Sequence, residues 1–250
     1  MIILKTKREI DLMRKAGKIS ARALKLAGSM VEPGVTTGQI DEAVRKYIKS
    51  QGAAPSFLKY QGYPKSCCIS VNDQVIHGIP SEKCVLKNGD IVSVDVGACF
   101  EGYHGDNAYT FACGDISREA QELLNATEES LAEAMKIAKV GARLGDIGDA
   151  VEGYVKKRGY SVVRDFVGHG VGASLHESPS VPNFGKPGHG VRLREGMTIA
   201  IEPMVNAGSS DVKVLEDGWT TITVDGKLSA HFENTIAITS SGAMILTDPE

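Results

Sequence analysis

The chain repeats itself. Displacing the 250-residue sequence against itself by 107 positions lays Gly34–Gly52 on Gly141–Gly159, and eight of those nineteen pairs are identical. The same displacement, with no gap, lays Leu86–Asp95 on Leu193–Glu202. A repeat of this length restricts the fold to two related units. Both copies of the first segment read as an amphipathic helix, apolar at Ile40, Ala43, Val44, Tyr47 and Ile48, with a glycine at the C-terminus. Each half also opens on a longer helical pattern. The first starts at the capping box Thr6 to Glu9 and runs to about Met30; the second starts near Ser117 and runs to about Lys139. Helix, helix, then strands in each half predicts an α+β fold, with antiparallel strands forming a central cleft and helices packed outside. The halves, about 1–113 and 114–250, are expected to form one domain around a pseudo-twofold axis.

Four segments alternate like strands, and each carries an acid: Ile91–Ala98 with Asp95, Gly102–Phe111 with Asp106, Thr198–Val205 with Glu202, and His231–Thr239 with Glu233. The repeat superposes Asp95 on Glu202. Side chains two apart share a face. Asp95 therefore lies with Ser93 and Gly97, Asp106 with His104 and Ala108, Glu202 with Ala200, and Glu233 with Thr235 and Ala237. The opposite faces hold Val92, Val94 and Val96, Tyr103 and Tyr109, Ile199 and Ile201, and Ile236 and Ile238. One acid in a strand is ordinarily solvated, but four of them, two related by the repeat, predict a shared space. Four carboxylates in one cavity repel, and a buried unpaired carboxylate does not stay ionised cheaply. Divalent cations compensate: two supply four positive charges, and paired ions about 3.5–4 Å apart are the usual hydrolytic arrangement. An oxygen-rich set with one imidazole suits manganese, iron, cobalt or zinc.

Of six histidines, His169 is the best placed imidazole ligand, because the glycines of Val167–Gly172 let the backbone approach a ligand. His77 and His176 could hydrogen-bond a substrate carbonyl or a tetrahedral intermediate. His104 and His231, each two residues before an acid, have either a supporting role or a plain structural one. His189 reads as a loop residue.

Composition closes off other classes. Lys+Arg number 28 against 31 Asp+Glu, a net charge of -3, so no global field attracts a nucleic-acid backbone or an anionic membrane. No stretch approaches the roughly 18–20 apolar residues of a spanning helix, and the N-terminus lacks a signal-peptide pattern, so a cytoplasmic location is expected. Five cysteines, none in a C-x-x-C pair, predict reduced, mostly buried thiols.

With these residues collected, the chain resembles the type I methionine aminopeptidases in their short bacterial form, members of the M24 or "pita-bread" metallopeptidases. The segments that carry the resemblance span nearly the whole chain: Tyr60–Ser66, Val75–Pro80, Ile91–Gly97, Tyr103–Asp106, Gly168–Gly172, Gly196–Gly208, Asp217–Trp219 and Ser229–Thr235. The resemblance implies a single catalytic domain in which Asp95, Asp106, His169, Glu202 and Glu233 ligate two divalent ions, Asp106 and Glu233 bridging both. It implies that a dimetal-bound hydroxide attacks the first peptide carbonyl and that Glu202 passes its proton to the leaving amine. His77 and His176 would steady the substrate, and Tyr60, Tyr63, Cys68, His77 and Trp219 would surround the methionine side chain. For Cys68 and Trp219, ordinary core packing is the reading their residue types alone favour. Three positions depart from well-known members: Leu175 stands where they have Phe, Phe57 where some have Cys, and Gln61 where some have His, which bears on pocket shape and inhibitor response rather than on the reaction.

The resulting expectation is removal of the initiator methionine from nascent polypeptides whose second residue is small. Nascent N-termini are the partners and the ribosome a plausible place of encounter. No specific nucleic acid or membrane is involved, and a monomer is the family expectation. Two other readings share the fold: an Xaa-Pro aminopeptidase or prolidase, and a non-catalytic pita-bread protein that binds partners. The five retained ligand positions weigh against the latter.

Overall fold

The repeat is one of hydrogen bonds as well as of residues. The Gly34 N–H donates to Leu86 O and the Gly141 N–H to Leu193 O; Leu86 N–H returns to Val35 O and Leu193 N–H to Ala142 O. Thr37 N–H donates to Cys84 O, and Leu144 N–H to Val191 O, again 107 residues on. Gly34 and Gly141 hold φ of +94° and +93°, where a side chain would be strained.

The computed structural model describes all 250 residues. Its helices are α1 (Lys7–Gly28), α2 (Thr37–Ser50), α3 (Arg118–Ile137) and α4 (Leu144–Lys156). The capping box read from Thr6 and Glu9 starts α1: Thr6 Oγ1 accepts the Glu9 N–H while Glu9 Oε2 accepts the Thr6 N–H. Ser117 caps α3 with one half of that arrangement, its Oγ accepting the Ala120 N–H, since Ala120 has no side-chain acceptor to return. The α2 start is a full box between Thr36 and Gln39. At α4 only half survives, since Asp146 accepts the Arg143 N–H but Arg143 has no side-chain oxygen to offer in return.

The nine-stranded sheet runs in the order Ala54–Pro55, Ile91–Phe100, Tyr103–Ala112, Glu233–Thr239, Thr198–Ile201, Gly168–Gly170, Glu177–Val181. Cys67–Val71 also pairs with Ile91–Phe100, and Gly242–Ile245 with Glu233–Thr239. Every pairing is antiparallel. Packed behind the sheet are two apolar cores, one for each half. In one, all 15 buried residues fall between Ala23 and Cys113; in the other, Ile91 alone of 22 comes from the first half. The valines and isoleucines opposite the acids are in these cores, as the alternation requires. Some of the small residues on the acid face are covered too: Ala200 and Ala237 pack with Met13, Val171 and Leu246.

Two strand expectations need correction. Thr198–Val205 breaks after Ile201, and Met204–Asn206 joins a separate three-stranded sheet. Pro203 explains the break: it has no N–H for a ladder and restricts the residue before it. His231–Thr239 likewise breaks at Phe232, with Ser229–His231 in the smaller sheet and Glu233–Thr239 in the larger. Glu202 and Glu233 therefore stand where chain segments change sheets, while Asp95 and Asp106 lie inside ten-residue strands. No helix is long and apolar enough to cross a membrane.

The helix α1 meets the sheet at glycines. A Cβ on Gly105 would fall 2.4 Å from the Gly17 Cα, and one on Gly17 would fall 2.2 Å from the Leu246 carbonyl oxygen. Backbone cannot yield as a side chain can, so Gly105→Ala should cost about 1–3 kcal/mol and lower the melting temperature by several degrees. Gly153→Ala, inside α4 with nothing within 4 Å, should instead stabilise by roughly 0.5–1 kcal/mol. Thermal unfolding of both variants tests the pair; equal effects would contradict the close approach.

Candidate metal centre

Sheet register brings the acids together. Cys68 stands opposite Asp95, Asp95 opposite Ala108, and Ala108 opposite Glu233. Asn234 pairs with Ile201, which sets Glu202 beside Glu233. One row across the sheet therefore carries Cys68, Asp95, Glu233 and Glu202, and Asp106 lies two residues along from Ala108 on the same face. The seam between the Asp106 and Glu233 strands has only two registered pairs, Glu233 with Ala108 and Asn234 with Asn107. Threonines reinforce it. Thr235 Oγ1 donates to Asp106 O and accepts the Asp106 N–H, and Thr110 Oγ1 does the same for His231. Alternation makes Thr235 a face-mate of Glu233 but carries no sign of this bridging.

All the side chains singled out above for metal, catalysis and methionine border one cavity of about 190 Å³, together with Phe57 and Gln61. A larger hollow of about 460 Å³ opens between α1 and α3, but it gathers no histidine and only one of the four acids, Glu233, so the chemistry belongs to the smaller cavity. Ligand atoms of Asp106, His169 and Glu233 lie within 4.8 Å of one another. His169 Nε2 is 3.5 Å from Glu202 Oε1 and 3.8 Å from Asp106 Oδ2.

The chemistry of this donor set fits divalent ions. Asp95 Oδ1, Asp106 Oδ1 and Glu233 Oε1 are buried with no hydrogen-bond partner. Burial, then the neighbouring acids, push the Asp95, Asp106 and Glu233 carboxyls well above the usual carboxylate range, and burial pushes Glu202 up to about 8. Burial lowers His169 to about 3, with a contribution from His176, so the imidazole is neutral. Its Nδ1 lies 2.9 Å from Gly170 O. A carbonyl only accepts, so Nδ1 carries the proton and Nε2 presents a lone pair to the acids.

His176 packs against His169 with ring centroids 4.0 Å apart, and its Nδ1 is 2.9 Å from the Tyr60 hydroxyl. His77, held at φ +59°, sets its ring edge-on to Phe166 and Trp219. Burial lowers His77 to about 4 and also depresses His176. Tyr63 donates its hydroxyl to the Cys67 and Gly78 carbonyls and meets Trp219 edge-on. Cys68 and Trp219 thus do both things weighed for them: they pack, and they line the cavity. Leu175 is buried with Phe57, Tyr63 and Cys68 in the wall behind it. His104 and His231 are absent from the lining. His104 Nδ1 lies 2.9 Å from Ser56 Oγ, and His231 Nε2 lies 3.6 Å from Glu202 Oε2. His189 is an exposed loop residue. Sequence reading missed Asn183, whose side-chain amide donates to the Glu202 carbonyl at the strand break.

Comparison with known proteins extends the resemblance over the full chain. The model of metallopeptidase family M24 matches residues 11–240. A methionine aminopeptidase of Clostridium perfringens is 56% identical over 247 residues, 99% of each chain. The crystal structure of a methionine aminopeptidase from Thermotoga maritima superposes with a TM-score of 0.98 at 49% identity, covering 99% of this chain and 100% of that one. A prolidase from Pyrococcus furiosus shares the fold at a TM-score of 0.80 and 27% identity, but only 66% of its chain is matched.

A buried acid with a raised pKa is protonated more readily in the folded than in the unfolded chain, so stability without ions falls as pH rises through the range between the two values. For Glu202 that range runs from 4.5 to about 8. The buried histidines act in the opposite sense, their cost appearing as pH drops below 6.5. Chelator-treated protein should therefore melt at higher temperature as pH is lowered from 8 to 6.5, with the slope flattening below. The rise in melting temperature on adding Mn²⁺ should grow with pH over the same window. A flat profile from 6.5 to 8 would contradict a convergent acid cluster.

Proposed function

This chain belongs to metallopeptidase family M24 and, within it, to the methionine aminopeptidases, and on that footing we propose how its own side chains remove an N-terminal methionine. The family's chemistry uses divalent metal. Here Asp95, Asp106, His169, Glu202 and Glu233 would hold two ions. Four carboxylates against four positive charges, and the unpartnered buried oxygens, support that number. Cobalt, manganese, iron and zinc all accept such a set. When bound, the ions supply an activated water and a Lewis acid for the scissile carbonyl.

The remaining steps belong to the protein. Tyr60 donates its hydroxyl to His176 Nδ1, which puts the proton on Nε2, and His176 then donates to the substrate carbonyl oxygen as negative charge develops there. His77, neutral and clamped between Phe166 and Trp219, offers a second donor. Glu202 carries the proton from the attacking water to the departing amine. Tyr60, Tyr63, Cys68, His77 and Trp219 receive the methionine side chain, since aromatic edges and apolar walls suit a thioether. The acids at the other end attract the substrate's free α-amine, which an internal peptide bond does not offer. Substrates of this kind are nascent polypeptide N-termini in the cytoplasm, met at or near the ribosome, by an enzyme acting as a monomer. Residues 1–250 act as one catalytic unit, because each half supplies only part of the ligand set.

The observation that carries this reading is the row of acids ending in an aromatic-walled cavity. Met-Ala-Ser should be cleaved rapidly and Met-Leu-Ser poorly by the metal-loaded enzyme; a reversed preference would remove the claim for small second residues. Faster release of Xaa from an Xaa-Pro peptide would move the assignment to the prolidase side of the family. His176→Ala should lower kcat by about 10²-fold, the loss typical of a missing oxyanion donor, while isothermal titration shows metal binding retained.

A further inference from the structure

Lys5 has no place in any motif, yet it is among the most completely buried charges in the molecule. Its side chain keeps 3% exposure, and that of its partner Glu177 keeps 10%. Lys5 Nζ donates to Glu177 Oε2 at 2.5 Å and to the Ile3 carbonyl at 3.2 Å. Lysine is rarely buried unless paired, and a buried ion pair is a weak source of stability, because removing both charges from water offsets their attraction. The pair is better understood by what it holds.

Glu177 follows His176 directly. Its second oxygen, Oε1, accepts the Ser174 N–H at 3.2 Å, closing a loop over Leu175 and His176. The pair sits against that loop's backbone. A Cβ on Gly172 would fall 2.3 Å from Glu177 Oε1 and 2.5 Å from Lys5 Cε. The Gly172 carbonyl accepts the His104 N–H, and its N–H donates to Ser174 O. Lys5 is anchored in turn, since its own N–H donates to Gly196 O at 2.7 Å and the Gly196 N–H donates to Ile238 O in the central sheet. A continuous chain of bonds therefore runs from the sheet through Lys5 and Glu177 to the loop that presents His176. The imidazole itself has one hydrogen-bond partner, the Tyr60 hydroxyl, on an irregular segment of the opposite half.

We propose that Lys5 is a positioning residue of the active site: through its buried ion pair with Glu177 it fixes the Ser174–His176 loop and so aims the His176 imidazole at the substrate carbonyl. The aiming rests on the role given to His176 above; the clamp itself does not. A displacement of about 1 Å at a catalytic donor costs up to about 10²-fold in rate.

The test uses Lys5→Met, Lys5→Arg and Glu177→Gln in the full chain. Hydrogen exchange, read without substrate, should show the Ser174 amide exchanging faster in Lys5→Met and Glu177→Gln than in the parent, and slower again in Lys5→Arg. Unchanged protection at Ser174 in folded Lys5→Met overturns the clamp, whatever the enzyme cleaves. In the metal-loaded enzyme, Lys5→Met should lower kcat on Met-Ala-Ser by roughly tenfold to a hundredfold with little change in KM, Lys5→Arg should recover most of that loss, and metal affinity by titration should stay the same. In a His176→Ala background the further loss on Lys5→Met should vanish, because coupled residues are not additive. A full loss in that background, or an unchanged kcat with only a lower melting temperature, overturns the positioning role. Should Lys5→Met fail to fold, Glu177→Gln, which removes the charge but keeps an acceptor, carries the same readouts. No cleavage of Met-Ala-Ser by the parent protein would count against the aminopeptidase reading, and the exchange result would still decide the clamp.

Discussion

The constraint on which the structure depends is mutual repulsion among four largely buried carboxylates held in one cavity. Left to solvent, Asp95, Asp106, Glu202 and Glu233 would separate; here sheet register fixes them in and beside one row, and several of their oxygens have no partner within the protein. Such a cluster is tolerable only if the scaffold behind it is stiff and cations complete it. The stiffness comes from the reverse faces of the same strands, where valines and isoleucines are locked into two cores backed by the helices. Apolar packing on one face sets register, and register sets the acids on the other, because a slip of one residue would exchange the two faces entirely.

This also accounts for the duplicated architecture. Each half can build its own core and its own helix pair, but each contributes only two acids. The halves meet at a seam with two registered residue pairs, which by itself is a weak joint. Thr235 and Thr110 strengthen it by exchanging hydrogen bonds with the backbones of Asp106 and His231. Their geometry ties the joint between halves directly to Asp106 and to the entry into the Glu233 strand. Anything that loosened the seam would separate ligands before it unfolded either core.

Much of this was legible in the sequence, for identifiable reasons. Helix starts were readable because capping is local: Thr6 with Glu9, and Ser117 before α3, need no distant partner. The faces of Asp95 and Asp106 were readable because alternation is a property of one strand. The breaks at Pro203 and Phe232 were not, because alternation continues in sequence across a point where the chain passes from one sheet to another, although Pro203 was a warning. Lys5 and Glu177 lie 172 residues apart, and no periodicity links them. Leu175, Phe57 and Gln61, read only as departures from a family pattern, proved to be wall and lining of the same cavity, a matter of packing that residue type does not encode.

The histidines show how burial is used beyond stability. His77, His169, His176 and His231 are all depressed, because burial disfavours the charged ring and, for the first three, a neighbouring imidazole adds to it. Cations in the site would depress them further, since a second positive charge beside a divalent ion is unfavourable. A neutral imidazole has one donor and one acceptor, so its usefulness depends on which nitrogen holds the proton. For His169 the Gly170 carbonyl decides this and frees Nε2 to ligate; for His176 the Tyr60 hydroxyl allows the reverse use, a proton held on Nε2 for donation. Two histidines with rings 4.0 Å apart can therefore do opposite work, one giving a lone pair and the other a proton. What separates them is a second hydrogen-bond partner on the far side of each ring, so the residues that fix those partners belong to the site as much as the ligands do.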